Sequence, residues 1–226
     1  YVASRIGEEY IIPTLGVWDR VEDIDWDSLP DQFVLKTTHG GGGCGVVVCS
    51  DKTHFDKAKA IKKLQTSMHS NTGKTYREKP YLNVPRKIIA EKFMAERKAK
   101  ENAKISDLPD YKFFCFDGEP KFLYVSDSPN HKLAFLNTDW TIASIGRKDY
   151  KPLLNIPPKP YNLDEMLEVA RKLSKGKPHV RVDLYNVNGH IYFGELTFYT
   201  GAGFIPFDPR ECDKMLGDML RLPSMG

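Results

Sequence analysis

Arg181-Val182-Asp183-Leu184, a turn at Asn188-Gly189, and then Gly194-Glu195-Leu196-Thr197 are the most informative stretch of the chain. Asn-Gly between two alternating apolar runs is a strong short-range signal for a β-hairpin. Two registers are open. With a two-residue turn, Val187 faces His190, and Asp183 and Glu195 point to opposite sides of the sheet. With the loop Val187-Asn188-Gly189, a left-handed Gly189 makes a bulge and Asn186 faces His190 instead. Glu195 then lies opposite Arg181 and diagonal to Asp183, so that all three share one face. Two carboxylates and an arginine on one sheet face suit a divalent cation holding a polyphosphate.

Upstream lies a glycine run, His39-Gly40-Gly41-Gly42-Gly43-Cys44-Gly45, behind Lys36. Gly40, Gly42 and Gly45 formally satisfy G-x-G-x-x-G, but that fingerprint needs a strand running into a helix. Here Val46-Val47-Val48-Cys49 is a β run, so the dinucleotide reading fails, and the absence of G-K-[ST] removes the Walker A reading. What remains is strand, glycine loop, strand: either a tight flexible hairpin or a flap whose bare amides close over phosphates. Consecutive glycines cost folding entropy, which favours the flap. Lys36, at the end of the preceding strand, is placed to act as a point charge on a phosphate.

The rest of the chain reads as mixed α and β, without repeats or low-complexity linkers. Strands are expected at Tyr10–Val17, with Pro13 at an edge or bulge, and at Phe33–Thr38, Val46–Cys49 and Lys87–Met94. Tyr111–Phe116 and Lys121–Ser126 flank Asp117-Gly118-Glu119-Pro120 as a second hairpin. Helices are expected from about Thr53 to Met68 behind a Ser50-Asp51 cap, at Leu163–Leu173 behind Asn162, and at Pro209–Leu220. Asn71–Asn83 is polar and turn-rich, and Glu96–Pro109 is a charged excursion. Hairpin-joined strands with helices set apart indicate α+β rather than a doubly wound parallel sheet.

At 226 residues and 41% hydrophobic, the chain can bury a core in one domain or two joined lobes. No apolar run approaches the ~20 residues of a membrane span, and four cysteines without C-x-x-C spacing suit a reducing, cytoplasmic compartment. Residues 1–51 carry three basic and nine acidic side chains, whereas residues 52–104 carry fifteen basic and five acidic. The basic block is either a solvated helix face or a lobe that attracts phosphates, an anionic sugar or a membrane-surface lipid carrier. No nucleic-acid recognition module accompanies it, and nucleic acid is not expected as a partner.

Several stretches together resemble the ATP-grasp superfamily, and more closely its TupA-like (teichuronopeptide biosynthesis-like) branch. They are Phe33-Val34-Leu35-Lys36 with the glycines, Tyr76-Arg77-Glu78-Lys79-Pro80-Tyr81, and Ile88-Ile89-Ala90-Glu91-Lys92-Phe93. They continue with Asp110–Gly118, Arg181-Val182-Asp183 and Gly194-Glu195-Leu196-Thr197-Phe198. The resemblance implies two lobes of mainly antiparallel sheet with flanking helices and a nucleotide between them. It places an amino-terminal segment at residues 1–32, a small lobe with the glycine flap at 33–93, and a large lobe with the metal site at 94–226.

The resemblance also implies site roles. Lys36 and Gly40, Gly41, Gly42, Gly43 and Gly45 would contact the phosphates of ATP, with His39 a loop residue touching phosphate. Glu91, Lys92, Phe93 and Met94 would hold adenine, and Asp110 the ribose. Asp183 and Glu195 would bind one or two Mg²⁺ ions, and Arg181 would steady the transferring phosphate, with Lys112 a further phosphate or substrate contact. Thr197 departs from the pattern, because the family's third metal ligand there is asparagine. A second phosphate-binding lysine of the family falls near or before Tyr1, where no residue of this chain fills its place.

The implied activity is an ATP- and Mg²⁺-dependent carboxylate–amine ligase in cell-surface polysaccharide biosynthesis, acting through an acyl phosphate. The expected substrate is a small molecule or a glycan or lipid-linked sugar, handled in the cytoplasm or at the inner face of the membrane. The alternatives are a kinase acting on a hydroxyl and an inactive nucleotide-binding partner.

Overall fold

The computed structural model describes residues 1–40, 43–94, 108, 110–127 and 130–222. Gly41 and Gly42 and most of the Glu96–Pro109 excursion lie outside the described residues. The chain divides into two compact units: Ile12–Ala95 is one, and Tyr1–Ile11 joins Ser106–Gly226 in the other.

The expected amino-terminal segment, residues 1–32, is shared between the two units. Helix α1 (Val2–Ile6) buries Ile6 in the core of the carboxyl-terminal unit. The Tyr1 hydroxyl donates to the Leu173 carbonyl at 3.1 Å, and the Tyr10 hydroxyl donates to Glu165 at 2.9 Å. Beyond Ile12 the segment supplies a strand, and Val21, Ile24 and Leu29 fill the core of the other unit.

In the Ile12–Ala95 unit, β1 (Thr14–Trp18), β2 (Phe33–Thr37), β3 (Val47–Cys49) and β4 (Ile88–Lys92) form an antiparallel sheet in the order β1-β4-β2-β3. Strand β1 starts only after Pro13 and carries an irregularity between Thr14 and Gly16, as expected where a proline cannot donate to the ladder. Helix α2 (Lys57–His69) lays Ala60 and Leu64 on Phe33, Leu35 and Ile88 of the sheet. The single helix expected from Thr53 is two elements. Asp51 caps a short 3₁₀ turn at Lys52–His54, and Asp56 accepts from the Lys59 amide at 2.9 Å to start α2 afresh. The short helix α3 (Thr72–Thr75) lies within the polar stretch that follows.

The other unit is built on a sheet of six strands. They are β5 (Asp110–Phe116), β6 (Glu119–Asp127), β7 (Lys132–Asn137), β9 (Lys151–Pro152), β10 (His179–Val187) and β11 (His190–Thr197). Their order is β11-β10-β5-β6-β7-β9, antiparallel except for β7 and β9. Strands β8 (Gly146–Arg147) and β12 (Phe207–Asp208) pair separately. Alternation divides the large sheet cleanly. Tyr111, Phe113, Val180, Val182 and Leu184 face helix α4 (Leu163–Ser174), whose Met166, Val169 and Leu173 complete that core. The opposite face carries Phe114, Phe122, Tyr124 and Phe135, covered at one end by Leu216 of helix α5 (Glu211–Met219). Directly beside these aromatics the same face carries charge: Arg181 pairs with Phe114, and Lys112 pairs with Tyr124 and Asp183. Among the described residues no helix is long and apolar enough to cross a membrane.

Candidate functional site

The β10–β11 hairpin turns in two residues: Val187 faces His190, and Asn188 and Gly189 both take positive φ, 53° and 87°. The turn is tied down by a polar knot. Asn186 donates to Asn162 at 2.7 Å, Asn162 donates to the Gly189 carbonyl at 3.0 Å, and the Gly189 amide donates back to Asn186 at 3.1 Å. Asn162 therefore serves the hairpin instead of capping α4 with its side chain.

In an unbroken ladder this register would separate Asp183 from Glu195. It does not, because a bulge falls further along: Leu184 pairs with Phe193, but Asp183 pairs with Glu195, leaving Gly194 as the extra residue. A Cβ at Gly194 would lie 3.0 Å from the Asp183 carbonyl oxygen and 3.2 Å from the Tyr185 ring. The shared face is thus real, and it comes from Gly194 rather than from a three-residue turn.

Arg181 is the hub of that face. Its Nε donates to Asp183 Oδ1 at 2.6 Å and its Nη2 to Asp183 Oδ2 at 2.7 Å. The same Nη2 reaches Glu195 Oε1 and Thr197 Oγ1, both at 2.9 Å, and Thr197 donates to Glu195 at 3.0 Å. From β5, Lys112 brings its ammonium within 2.6 Å of Asp183 and 2.5 Å of Asp110. Burial alone would raise the Asp183 carboxyl, but Arg181 and Lys112 outweigh it and hold Asp183 below its ordinary range. Burial pushes Asp110 upward, and the like charge of Asp183 adds to that against the pull of Lys112. Glu195 is also raised, by desolvation and then by Asp183, although its side chain is 58% exposed. Buried charges of this kind persist only where paired and hydrogen-bonded.

The donor set fits Mg²⁺. Asp183, Glu195 and the Thr197 hydroxyl offer hard oxygens, and the exposure of Glu195 leaves it accessible to a cation. Among the described residues no group of three or more His, Cys, Asp or Glu is arranged to hold a metal by itself.

The smaller unit carries the other expected residues. Lys36 Nζ lies 2.5 Å from Glu91 across the β2–β4 pair, both partly buried. Lys92 ends β4, its amide donating to the Pro13 carbonyl at 2.9 Å, and Phe93 and Met94 follow it, half-buried. His39 is buried, and its Nε2 meets the Ser67 carbonyl of α2 at 3.0 Å, which makes it an anchor of the loop base. The hydroxyls of Thr37 and Ser67 bond at 2.7 Å, directly beneath the loop ends. A Cβ at Gly45 would lie 2.0 Å from Thr37 Oγ1 and 2.4 Å from Ser67 Oγ, so that position is confined to glycine by close approach. A hollow of about 490 Å³ runs along β3 and α2, another of about 350 Å³ lies between Cys44 and α2, and neither is lined by Lys36 or Arg181.

The structure thus brings Arg181, Asp183, Glu195, Thr197, Lys112 and Asp110 together in one unit, and Lys36, Glu91, His39 and the described glycines in the other. Asp110, expected at a ribose, sits beside Lys112 and pairs across the sheet with Tyr185. Thr37 and Ser67 escaped the sequence reading, since nothing local marks a hydroxyl pair between residues 30 positions apart. Gly194 did carry a signal: a glycine inside a strand commonly marks a bulge.

The profile of the TupA-like ATP-grasp family matches residues 1–221. The chain belongs to the TupA-like ATP-grasp family. No curated protein matches it. Among solved structures it is similar to the D-alanine–D-alanine ligase of Bacillus anthracis complexed with ATP, at 14% identity and a TM-score of 0.43. That match covers 83% of this chain and 47% of the ligase. It is also similar to the L-amino acid ligase of Bacillus licheniformis, at 14% identity and a TM-score of 0.47, covering 89% of this chain and 43% of that one. The N5-carboxyaminoimidazole synthetase of Staphylococcus aureus complexed with ADP gives 15% identity and a TM-score of 0.45, covering 83% and 40%. This TupA-like chain therefore spans about half the length of the solved structures it matches or less.

Proposed function

We propose that the chain is an ATP-dependent carboxylate–amine ligase working through an acyl phosphate. The observation that carries this reading is the bulged face on which Asp183, Glu195 and Arg181 meet, in a member of an ATP-grasp family. In this reading Lys36 and the amides of the His39–Gly45 loop bind the phosphates, and the Glu91–Met94 backbone binds adenine. Asp183 and Glu195 hold Mg²⁺, with Thr197 as a weaker oxygen donor. When bound, the ion offsets charge on the transferring phosphoryl group.

A substrate carboxylate oxygen bonds to the γ-phosphorus as the bond to the β-phosphate oxygen breaks, releasing ADP. Arg181, already fixed by Asp183, needs little reorganisation to stabilise the charge on the acyl-phosphate oxygens. An amine nitrogen then bonds to the carbonyl carbon, phosphate leaves, and the nitrogen loses its proton. The carboxylate belongs to a uronic acid or an amino acid, on a small molecule or a glycan or lipid-linked sugar of a cell-surface polysaccharide. Three exposed lysines of α2, Lys59, Lys62 and Lys63, line the 350 Å³ hollow and support contact with an anionic substrate or membrane surface. A second reading, nucleotide binding without turnover, is favoured by Asp183, whose two oxygens are both engaged by cations.

Hydroxylamine separates these readings. Added with ATP, Mg²⁺ and a panel of uronic acids and amino acids, to protein carrying any residues that precede Tyr1, it yields a hydroxamate and ADP if an acyl phosphate forms. A stable phosphorylated product without hydroxamate points to a kinase. Nucleotide binding with neither product points to the inactive partner.

A further inference from the structure

Lys112 and Asp110 sit two residues apart on β5 and face the same side of the sheet as Asp183. The Lys112 ammonium bridges Asp183 Oδ2 at 2.6 Å and Asp110 Oδ2 at 2.5 Å, and the side chain is 15% exposed. The other oxygen of Asp110, Oδ1, is buried and has no hydrogen-bond partner among the described residues. Arg181 is held differently, by a bidentate pair with Asp183 and further bonds to Glu195 and Thr197. A planar guanidinium in that lattice is fixed, whereas an ammonium on a four-carbon stem is a compact charge that can turn.

We infer that Lys112 is an internal counter-cation: it occupies Asp183 while no metal is present and moves wholly onto Asp110 when a divalent ion binds. The inference rests on the Asp183–Glu195 metal reading and adds a role for two residues outside the metal's ligand set. A divalent ion on Asp183 repels an ammonium at hydrogen-bond distance from the same carboxylate, so one of them must yield. Asp110 is already within reach, with a spare acceptor oxygen, so the displaced ammonium keeps a partner and no buried charge is stranded. Asp110 is thus a positioning residue that acts through Lys112. Loading the site becomes an exchange of cations on Asp183.

The test titrates Mn²⁺ alone into the chain and three variants, Lys112→Met, Asp110→Asn and the double variant, reading free Mn²⁺ by electron paramagnetic resonance. Removing the competing ammonium should tighten Mn²⁺ binding by about tenfold or more. Asp110→Asn removes the refuge and should weaken binding severalfold, and that loss should shrink in the Lys112→Met background. Unchanged or weaker binding by Lys112→Met overturns the exchange. So does an Asp110→Asn loss that is equal or larger without Lys112, since Asp110 would then act on the metal directly. If neither the parent chain nor Lys112→Met binds Mn²⁺, the metal reading itself fails and the exchange falls with it. Thermal melts accompany each titration. If Lys112→Met does not fold, Lys112→Gln, which removes the charge but keeps a donor, is read in its place.

Discussion

At Arg181 the larger unit buries full charges, whereas at Thr37 the smaller unit buries only a hydroxyl pair and an imidazole. The first arrangement is self-compensating: Asp110, Asp183 and Glu195 face Lys112 and Arg181, and each group holds its neighbours in place. The second works by exclusion, because Thr37 and Ser67 occupy the space any side chain at Gly45 would need. A catalytic group must point a charge in a fixed direction, and a loop that closes on phosphates must present backbone. In the function proposed above, the two regions divide those tasks.

If that contrast holds, the largest effect should come from stranding the buried cations. Asp183→Ala leaves Arg181 and Lys112 without their shared carboxylate and should cost about 3–5 kcal/mol in urea unfolding, along with all ATP-dependent turnover. An unchanged unfolding midpoint would mean that the cluster contributes nothing to stability and would remove the contrast. Gly194→Val comes next, since its side chain must push against the Asp183 carbonyl and the Tyr185 ring. We expect about 3 kcal/mol from overpacking and loss of turnover as Glu195 leaves the shared face. In the smaller unit, Gly45→Ala collides with Thr37 and Ser67 and should cost about 2 kcal/mol while weakening ATP binding, measured by calorimetry. The smallest effect belongs to Ser67→Ala, which removes one neutral hydrogen bond and should cost about 1 kcal/mol with little change in ATP affinity.

Much of this was legible in the residues themselves. Asn188-Gly189 announced the hairpin, alternation along Arg181–Leu184 announced its two faces, and the β run after the glycines correctly refused a helix. The shared face was anticipated, but its cause was misplaced, because the turn draws the eye and a single interior glycine does not. Strand β7 went unread since Leu133-Ala134-Phe135-Leu136 is buried on both sides and shows no alternation. The split of the first 32 residues was invisible for another reason. Bonds such as His190 Nε2 to the Glu9 carbonyl at 2.8 Å span 181 positions, and no local pattern encodes them. Asp110 has a partner that the ribose expectation does not name: Asp-x-Lys on a strand places both side chains on one face, and the two form an ion pair.

The most direct test of the account is a crystal structure of the chain soaked with Mn²⁺ and ADP, with the metal located by its anomalous signal. We predict a peak within about 2.3 Å of a carboxylate oxygen of both Asp183 and Glu195, the range typical of a hard divalent ion. Nucleotide bound with the manganese seated away from both carboxylates would contradict the central claim that the Gly194 bulge exists to build a metal face.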